Sequence, residues 1–148
     1  MVSEAEIGPR LRVRLSYLLK RALLELEDLH TEHLAPAGVN ARELAVLLLL
    51  HSREPESQQQ AAARLGVDRT TMVGLLDALE GKGLVARQAD VEDRRRNVVG
   101  LTDTGKRTLA VATAASDQAE RRLLGELSDT EALRLRELLG RVAERPRR

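Results

Sequence analysis

The chain contains no cysteine, which excludes disulfide bonds, thiol catalysis and cysteine-based redox sensing. It also lacks phenylalanine and tryptophan, and Tyr17 is its single aromatic residue. Proteins that bind single-stranded nucleic acid normally stack bases on aromatic side chains, so this mode of binding is disfavoured. A core without large aromatic residues must be filled by leucine, valine and alanine, which suits the packing of helices.

Long hydrophobic runs and an excess of one charge are also missing. The apolar run from Val46 to Leu50 is far shorter than a membrane span. The N-terminus has acidic residues and no hydrophobic signal core, so we expect a cytoplasmic protein without a membrane partner. The formal net charge of +1 gives no overall basic excess, so any binding of nucleic acid must depend on a local cluster of arginines.

The motifs of the common enzyme classes are absent as well. The chain has no Gly-rich phosphate loop, no cluster of zinc ligands and no nucleophile–base pattern among its 3 histidines. We therefore do not expect an enzyme, and no cofactor is predicted. A length of 148 residues suits one domain or one protomer of an intertwined oligomer.

Residues 57 to 81 predict two short helices joined by a tight turn. Ser57 followed by Gln60 is a capping-box pattern that can begin the first helix, and Gly66 can end it in a left-handed conformation. Asp68 can then cap the second helix. The outward end of a recognition helix contacts base edges and phosphates, and here that end would hold Arg69, Thr70 and Thr71. The same spacing also allows an ordinary helical hairpin with a solvated polar end.

A β-hairpin is predicted directly after these helices. Its arms are Leu84 to Arg87 and Asn97 to Leu101, and its polar tip ends in Arg94, Arg95 and Arg96. A charge run of this kind is usually a solvated loop. Here it follows a recognition-type helix, where a winged helix has its wing. An arginine at such a tip can enter the minor groove, where the potential of DNA is most negative.

At this point the residues resemble a known family. The run Asp93-Arg94-Arg95, followed after five residues by Leu101-Thr102-Asp103-Thr104-Gly105, is similar to the wing signature D-x-R-x5-L-T-x-x-G of the MarR (multiple antibiotic resistance regulator) family. The stretch from Val67 to Val85 resembles that family's recognition helix and its exit into the wing. The resemblance implies that Asp93 orients Arg95 for the minor groove, with Arg94 and Arg96 as further phosphate contacts.

The helical pattern outside this region indicates the rest of the architecture. Apolar residues from Arg10 to about Leu34 form a stripe wider than a small core can bury, which favours dimerisation over packing against the chain's own C-terminal helices. Further helices are expected at 41–51, 103–127 and 128–144. The resemblance implies a mainly α fold with a small β-hairpin wing. We predict dimerisation helices at residues 10–34 and 106–145 and a winged helix–turn–helix DNA-binding domain at residues 35–105.

The functional prediction is a homodimeric transcriptional regulator that binds double-stranded DNA at a pseudo-palindromic operator. The resemblance further implies a repressor released by a small phenolic or anionic effector. The predicted DNA contacts are Ser57, Gln58, Arg69, Thr70, Thr71, Arg94, Arg95 and Arg96. For Ser57, a plain role as an N-cap is equally open. The alternative function is a winged-helix module that binds proteins and does not bind specific DNA.

The sequence says less about an effector site. The candidate residues are Tyr17, His30, His33, His51 and Arg53, and each of these residue types more often has an ordinary structural role. His30 and His33 are three residues apart and can share a helix face. Two histidines without cysteine or a clear third ligand do not predict a metal site.

Overall fold

The computed structural model describes residues 4–52, 56–93 and 97–144. Its α-helices are α1 (Glu4–Ile7), α2 (Pro9–Arg12), α3 (Leu15–Leu34), α4 (Ala41–His51), α5 (Gln58–Leu65), α6 (Arg69–Gly81), α7 (Asp103–Leu123) and α8 (Asp129–Ala143). Its strands are β1 (Glu56–Ser57), β2 (Val85–Ala89) and β3 (Asn97–Leu101). The predicted mainly α fold with a small β-hairpin is confirmed.

Short polar side chains determine where four of these helices begin. The side-chain oxygens of Asn40, Ser57, Asp68 and Ser128 each accept the backbone N–H three residues on. In three of the four helices, the Glu or Gln at that third position also accepts the N–H of the capping residue. These bonds satisfy backbone donors that the first turn of a helix leaves unpaired.

The N-terminal helix differs from its prediction as one continuous element from Arg10 to Leu34. A short helix ends at Arg12, and α3 begins only at Leu15. A continuous helix would place Arg10 and Arg14 one turn apart, where like charges repel, and would include the β-branched Val13. The helix predicted to end near Leu127 ends at Leu123, two residues before Gly125, since glycine is a poor helix former.

The three strands form one antiparallel sheet in the order β1-β3-β2. In the hairpin, Val85 pairs with Leu101, Arg87 with Val99, and Ala89 with Asn97. The first strand was not predicted, because two residues are too few to show an alternating pattern.

The chain divides into two compact units. The central unit runs from His30 to Asp117, and the terminal unit combines the chain up to Leu29 with the chain from Gln118 onward. Fully buried Leu47, Met72 and Leu76 lie in the core of the central unit, together with Val99 of the hairpin. Among the described residues, no single helix is long and apolar enough to cross a membrane; only the bent pair Leu15–Ala37 and Ala41–His51 passes by length and composition.

Candidate nucleic-acid interface

A tight turn between α5 and α6 gives the helix–turn–helix its geometry. Gly66 has φ 65°, a left-handed conformation that glycine adopts without steric cost. The N–H of Gly66 donates to the carbonyl of Ala63 at 3.3 Å, and the N–H of Val67 donates to that of Ala62 at 3.1 Å. Ala61 and Ala62 are buried, and their small side chains let neighbouring backbones approach closely. The predicted left-handed end of α5 is confirmed.

The turn leaves the first residues of α6 at the surface. Asp68 caps the helix by accepting the N–H of Thr71 at 2.6 Å, and this bond lowers the pKa of Asp68 below its ordinary value. Because the folded pKa is the lower one, this stabilisation is lost only in acid, as the pH falls through the folded value. Arg69 and Thr70 are exposed, and Thr71 is half-buried. Arg69 and Thr70 are therefore accessible to a ligand at the start of the helix.

Ser57 and Gln58 lie at the N-terminus of α5. The hydroxyl of Ser57 accepts the N–H of Gln60 at 3.2 Å, so this residue has the structural role of an N-cap. Gln58 is half-buried, and its side-chain oxygen accepts two hydrogen bonds from Arg87. Contacts of either residue with phosphate stay predictions.

The described part of the wing ends just before its arginines. The strand ladder continues to the pair Ala89 and Asn97, and Asp93 in the tip is exposed. Arg94, Arg95 and Arg96 lie outside the described residues, so the pairing of Asp93 with Arg95 stays a prediction.

Arg87 is not among the predicted site residues, although it makes the most hydrogen bonds of any side chain in the described part of the hairpin. Its guanidinium donates to Asp77 at 2.7 Å, to Glu80 at 2.9 Å and to the side-chain oxygen of Gln58 at 3.1 and 3.3 Å. The only available signal was the alternation of strand β2, which places Arg87 on the same face as buried Val85. The identity of its partners depends on the tertiary packing.

Thr102 and Gly105 of the L-T-x-x-G run join the base of the wing to α7. The Thr102 hydroxyl donates to the carbonyl of Gly83 at 2.6 Å and accepts the N–H of Gly105 at 3.0 Å. The backbone N–H of Thr102 donates to the carbonyl of Leu84 at 3.1 Å. In this chain, the run therefore has a structural role that fixes where the wing leaves the core.

An ion pair between an exposed lysine and a buried glutamate ties the end of α6 to the start of α4. Glu43 is 3% exposed, and its carboxylate accepts from Lys82 Nζ at 2.9 and 3.0 Å. Lys82 also donates to the carbonyl of Gly38 at 2.9 Å. The lysine uses all three of its donors, and it holds the turn between recognition helix and wing against the N-terminal turn of α4.

The candidate effector residues belong to different parts of the chain, and their role in binding an effector stays a prediction. Tyr17 belongs to the terminal unit, whereas His30, His33 and His51 belong to the central unit. His30 shares a 2.9 Å hydrogen bond with Ser116, and His33 also has a bonding partner. Arg53 lies outside the described residues. Within the described ranges, no group of three or more His, Asp or Glu side chains is arranged to hold a metal ion.

One cavity of the central unit has a lining that includes His51. Its volume is about 370 Å³, and it lies between the end of α4, the outer face of the hairpin and the first turns of α7. His51, Gln88 and Lys106 supply polar groups, and Leu50, Val98 and Leu101 supply apolar surface. Tyr17, His30 and His33 do not line this cavity.

Comparison with known proteins identifies related sequences. The sequence model of the MarR family matches residues 39–96. The transcriptional regulator HosA of Escherichia coli is 30% identical over 120 residues, which span 77% of this chain and 88% of HosA. Two HTH-type transcriptional regulators of Bacillus subtilis match over 66% and 47% of their own lengths.

Related structures extend the similarity to nearly the whole chain. The transcriptional repressor CouR, in a complex with a 23-mer DNA duplex, is 36% identical with a TM-score of 0.87, covering 96% of this chain and 100% of that one. CouR from Rhodococcus jostii RHA1, bound to p-coumaroyl-CoA, is 31% identical with a TM-score of 0.81, covering 95% of this chain and 99% of that one.

Proposed function

Because this chain belongs to the MarR family of transcriptional regulators, we propose that it binds double-stranded DNA as a homodimer and represses transcription until an effector releases it. The similarity to DNA-bound CouR over the whole of that chain is the observation that supports this most strongly. The exposed Arg69 and Thr70 at the start of α6 supply donors for base edges and phosphates. The role is regulatory rather than catalytic, and in a bacterium its site of action is the cytoplasm, where the DNA lies.

Selection from a pool of random duplexes tests DNA binding without knowledge of the target genes. We expect the pool to converge on a pseudo-palindrome with half-sites about 10 base pairs apart, because two recognition helices of a dimer reach successive turns of one groove. The selected duplex should bind about a thousandfold more tightly than a scrambled one at physiological salt. Equal, weak binding to both duplexes would instead favour the alternative function, a winged-helix module that binds proteins.

Exposed leucines and valines of the terminal unit support the dimer. Leu18, Leu19 and Leu23 of α3 are all about half exposed or more, and so are Leu133 and Val142 of α8. Monomeric proteins rarely leave many large apolar side chains of neighbouring turns in water. We propose that a second copy of the chain covers these faces and that the terminal helices are the dimerisation region.

Replacing Arg69 with alanine should weaken binding to the selected duplex about tenfold and relax base preference at one position of each half-site. The reason is that an arginine at the start of a recognition helix can donate two hydrogen bonds to a guanine. Fluorescence anisotropy on duplexes with single-base changes measures both effects. Arg134→Ala, which removes the same charge from α8, is the matched control; once gel filtration shows that it is still a dimer, it should bind like the unaltered protein. Equal losses in both variants would show that only overall charge matters.

The cavity beside His51 is our proposed effector site. His51 and Lys106 come from different helices and could pair with an anion, while the apolar lining accepts an aromatic ring. The volume of about 370 Å³ lies within the range of small-molecule sites. The p-coumaroyl-CoA complex of CouR supports the choice of an aromatic, anionic probe.

The whole of p-coumaroyl-CoA is larger than this cavity, so its aromatic acyl group would lie inside and its phosphates at the opening. Titration with this compound should release the protein from its selected duplex, and Lys106→Ala should require about tenfold more of it, because a charged hydrogen bond to the anion is lost. Release is followed by anisotropy of the labelled duplex. Lys20→Ala, a lysine of the terminal unit, serves as the control, provided that gel filtration shows it to be a dimer. If both variants respond like the unaltered protein, the effector binds elsewhere or the probe has the wrong chemistry.

A further inference from the structure

The guanidinium of Arg87 bridges three elements of the DNA-binding region. From strand β2 it donates to Asp77 and Glu80 of α6 and to Gln58, the first residue of α5. Its side chain is only 20% exposed, and four of its donor–acceptor contacts are within 3.3 Å. Such a fork is rigid because guanidinium is planar and its donors point in fixed directions.

These bonds fix the orientation of the Gln58 amide. A guanidinium has donors only, so Arg87 must bond the oxygen of the amide, and the amide nitrogen is turned away from it. No hydrogen bond from that nitrogen is seen among the described residues. It lies at a helix N-terminus, where unpaired backbone N–H groups and the helix dipole also favour phosphate. Arg87 thus leaves two donors of Gln58 available for a phosphate oxygen.

The same guanidinium compensates negative charge on the recognition helix. Asp77 and Glu80 are 61% and 45% exposed, and Asp77 lies two turns beyond Thr70 on the same helical face. Without Arg87, two carboxylates would stand on this helix with no counter-charge described in the structure and would repel DNA phosphates. With Arg87 present, its single positive charge offsets half of the negative charge of the two carboxylates at the start of the wing.

We infer that Arg87 is a positioning residue for DNA binding, which presents the Gln58 amide to a backbone phosphate and masks the carboxylates of Asp77 and Glu80. This inference rests on the proposed function. It assigns Arg87 no contact of its own with the duplex. It also gives a reason for a half-buried arginine that pairs with two carboxylates of the recognition helix in a surface that must attract an anion.

A double-mutant cycle on the selected duplex tests the link to Gln58. We expect Arg87→Gln to weaken binding about tenfold, and Gln58→Ala to weaken it several-fold in the unaltered protein but less than about twofold in the Arg87→Gln variant. A residue that served only the stability of the fold would leave the two losses independent. Additive losses would therefore overturn the inference, and thermal unfolding of each variant identifies any that is not folded.

Two further measurements test whether Arg87 contacts phosphate itself and whether it masks the charges of Asp77 and Glu80. Removing Arg87 unmasks two carboxylates, so the slope of log affinity against log salt should change in Arg87→Gln only through their repulsion of phosphate, and it should return to that of the unaltered protein when Asp77→Asn and Glu80→Gln are added. A slope that stays lower by about one in this triple variant would mean that Arg87 itself contacts phosphate, which contradicts the inference. Adding Asp77→Asn and Glu80→Gln to Arg87→Gln should restore at least about threefold of the affinity, and no recovery would exclude charge masking.

DNA binding by the unaltered protein separates a failure of this inference from a failure of the proposed function. If it does not discriminate the selected duplex from a scrambled one, the proposed function fails and the role of Arg87 fails with it. If it discriminates and the Arg87 variants behave like the Arg134→Ala control, only the role of Arg87 is wrong.

Discussion

Replacing Gly105 with alanine is expected to destabilise the protein by about 3 kcal/mol, the upper end of the usual cost of overpacking. A methyl group on Gly105 would overlap the carbonyl oxygen of Leu84 and lie 2.9 Å from its carbonyl carbon and 3.3 Å from its Cα. These atoms belong to the backbone and cannot rotate away. The same carbonyl accepts the N–H of Thr102, so the hairpin must move, or that bond must break, to make room.

Chemical denaturation of the purified protein measures this loss, and Gly74→Ala is the matched control. Gly74 lies within α6, and a methyl group added there would have no other atom within 4 Å. Alanine is also a better helix former than glycine. The control should therefore be unchanged or slightly more stable. A loss below about 1 kcal/mol for Gly105→Ala would indicate that the contact between α7 and the Leu84 backbone is easily relaxed. The variant should also bind DNA more weakly, because the root of the wing is displaced.

Local signals were sufficient to predict most helix starts. Ser57 and Asp68 were predicted as caps, and each makes the expected bond. A cap involves residues three apart in the chain, so it can be read from the sequence without knowing the fold. The break at Val13 and the two-residue strand β1 were missed, since neither has a strong local signature.

The polar contacts that hold the site together could not be predicted in the same way. Arg87 and Asp77 are ten residues apart, and Lys82 and Glu43 are 39 apart. The local sequence does not predict such pairs, because the packing of the helices against the hairpin determines which side chains meet. The role of Gly105 was visible only as part of a family signature. Its physical reason, the close approach of α7 to Leu84, requires the structure.

The L-T-x-x-G residues of the family signature have a structural role in this chain. Thr102 and Gly105 hold the hairpin to α7, and Lys82 holds the preceding turn to α4. All three are anchors at the root of the wing. The predicted DNA contacts are separate from these anchors: they are residues 94–96 of the sequence, the exposed start of α6, and Ser57 and Gln58 at the start of α5. A DNA-binding variant can therefore fail for two separable reasons: the loss of a contact or the loss of the anchor that positions it.

Replacing Lys82 with methionine is expected to destabilise the protein by about 2 kcal/mol, somewhat less than the usual cost of breaking a fully buried ion pair. The expected loss of stability is smaller because water screens the lysine, whose side chain is 43% exposed, whereas the glutamate side chain is 4% exposed. Without Lys82, the Glu43 carboxylate stays buried with the N–H of Asn40 as its remaining donor in the described structure. Glu43→Gln should cost less than about 1 kcal/mol, because the amide oxygen still accepts from Asn40 and the lysine can reach water.

The double variant, Lys82→Met with Glu43→Gln, decides whether the buried charge is the cause. It should be more stable than Lys82→Met alone, because it has no uncompensated carboxylate in the core. Chemical denaturation of the three variants at neutral pH gives the comparison. If the double variant is instead the least stable of the three, the lysine acts mainly through its hydrogen bond to Gly38 and the packing of its chain. The turn between recognition helix and wing would then be held by backbone contacts rather than by charge.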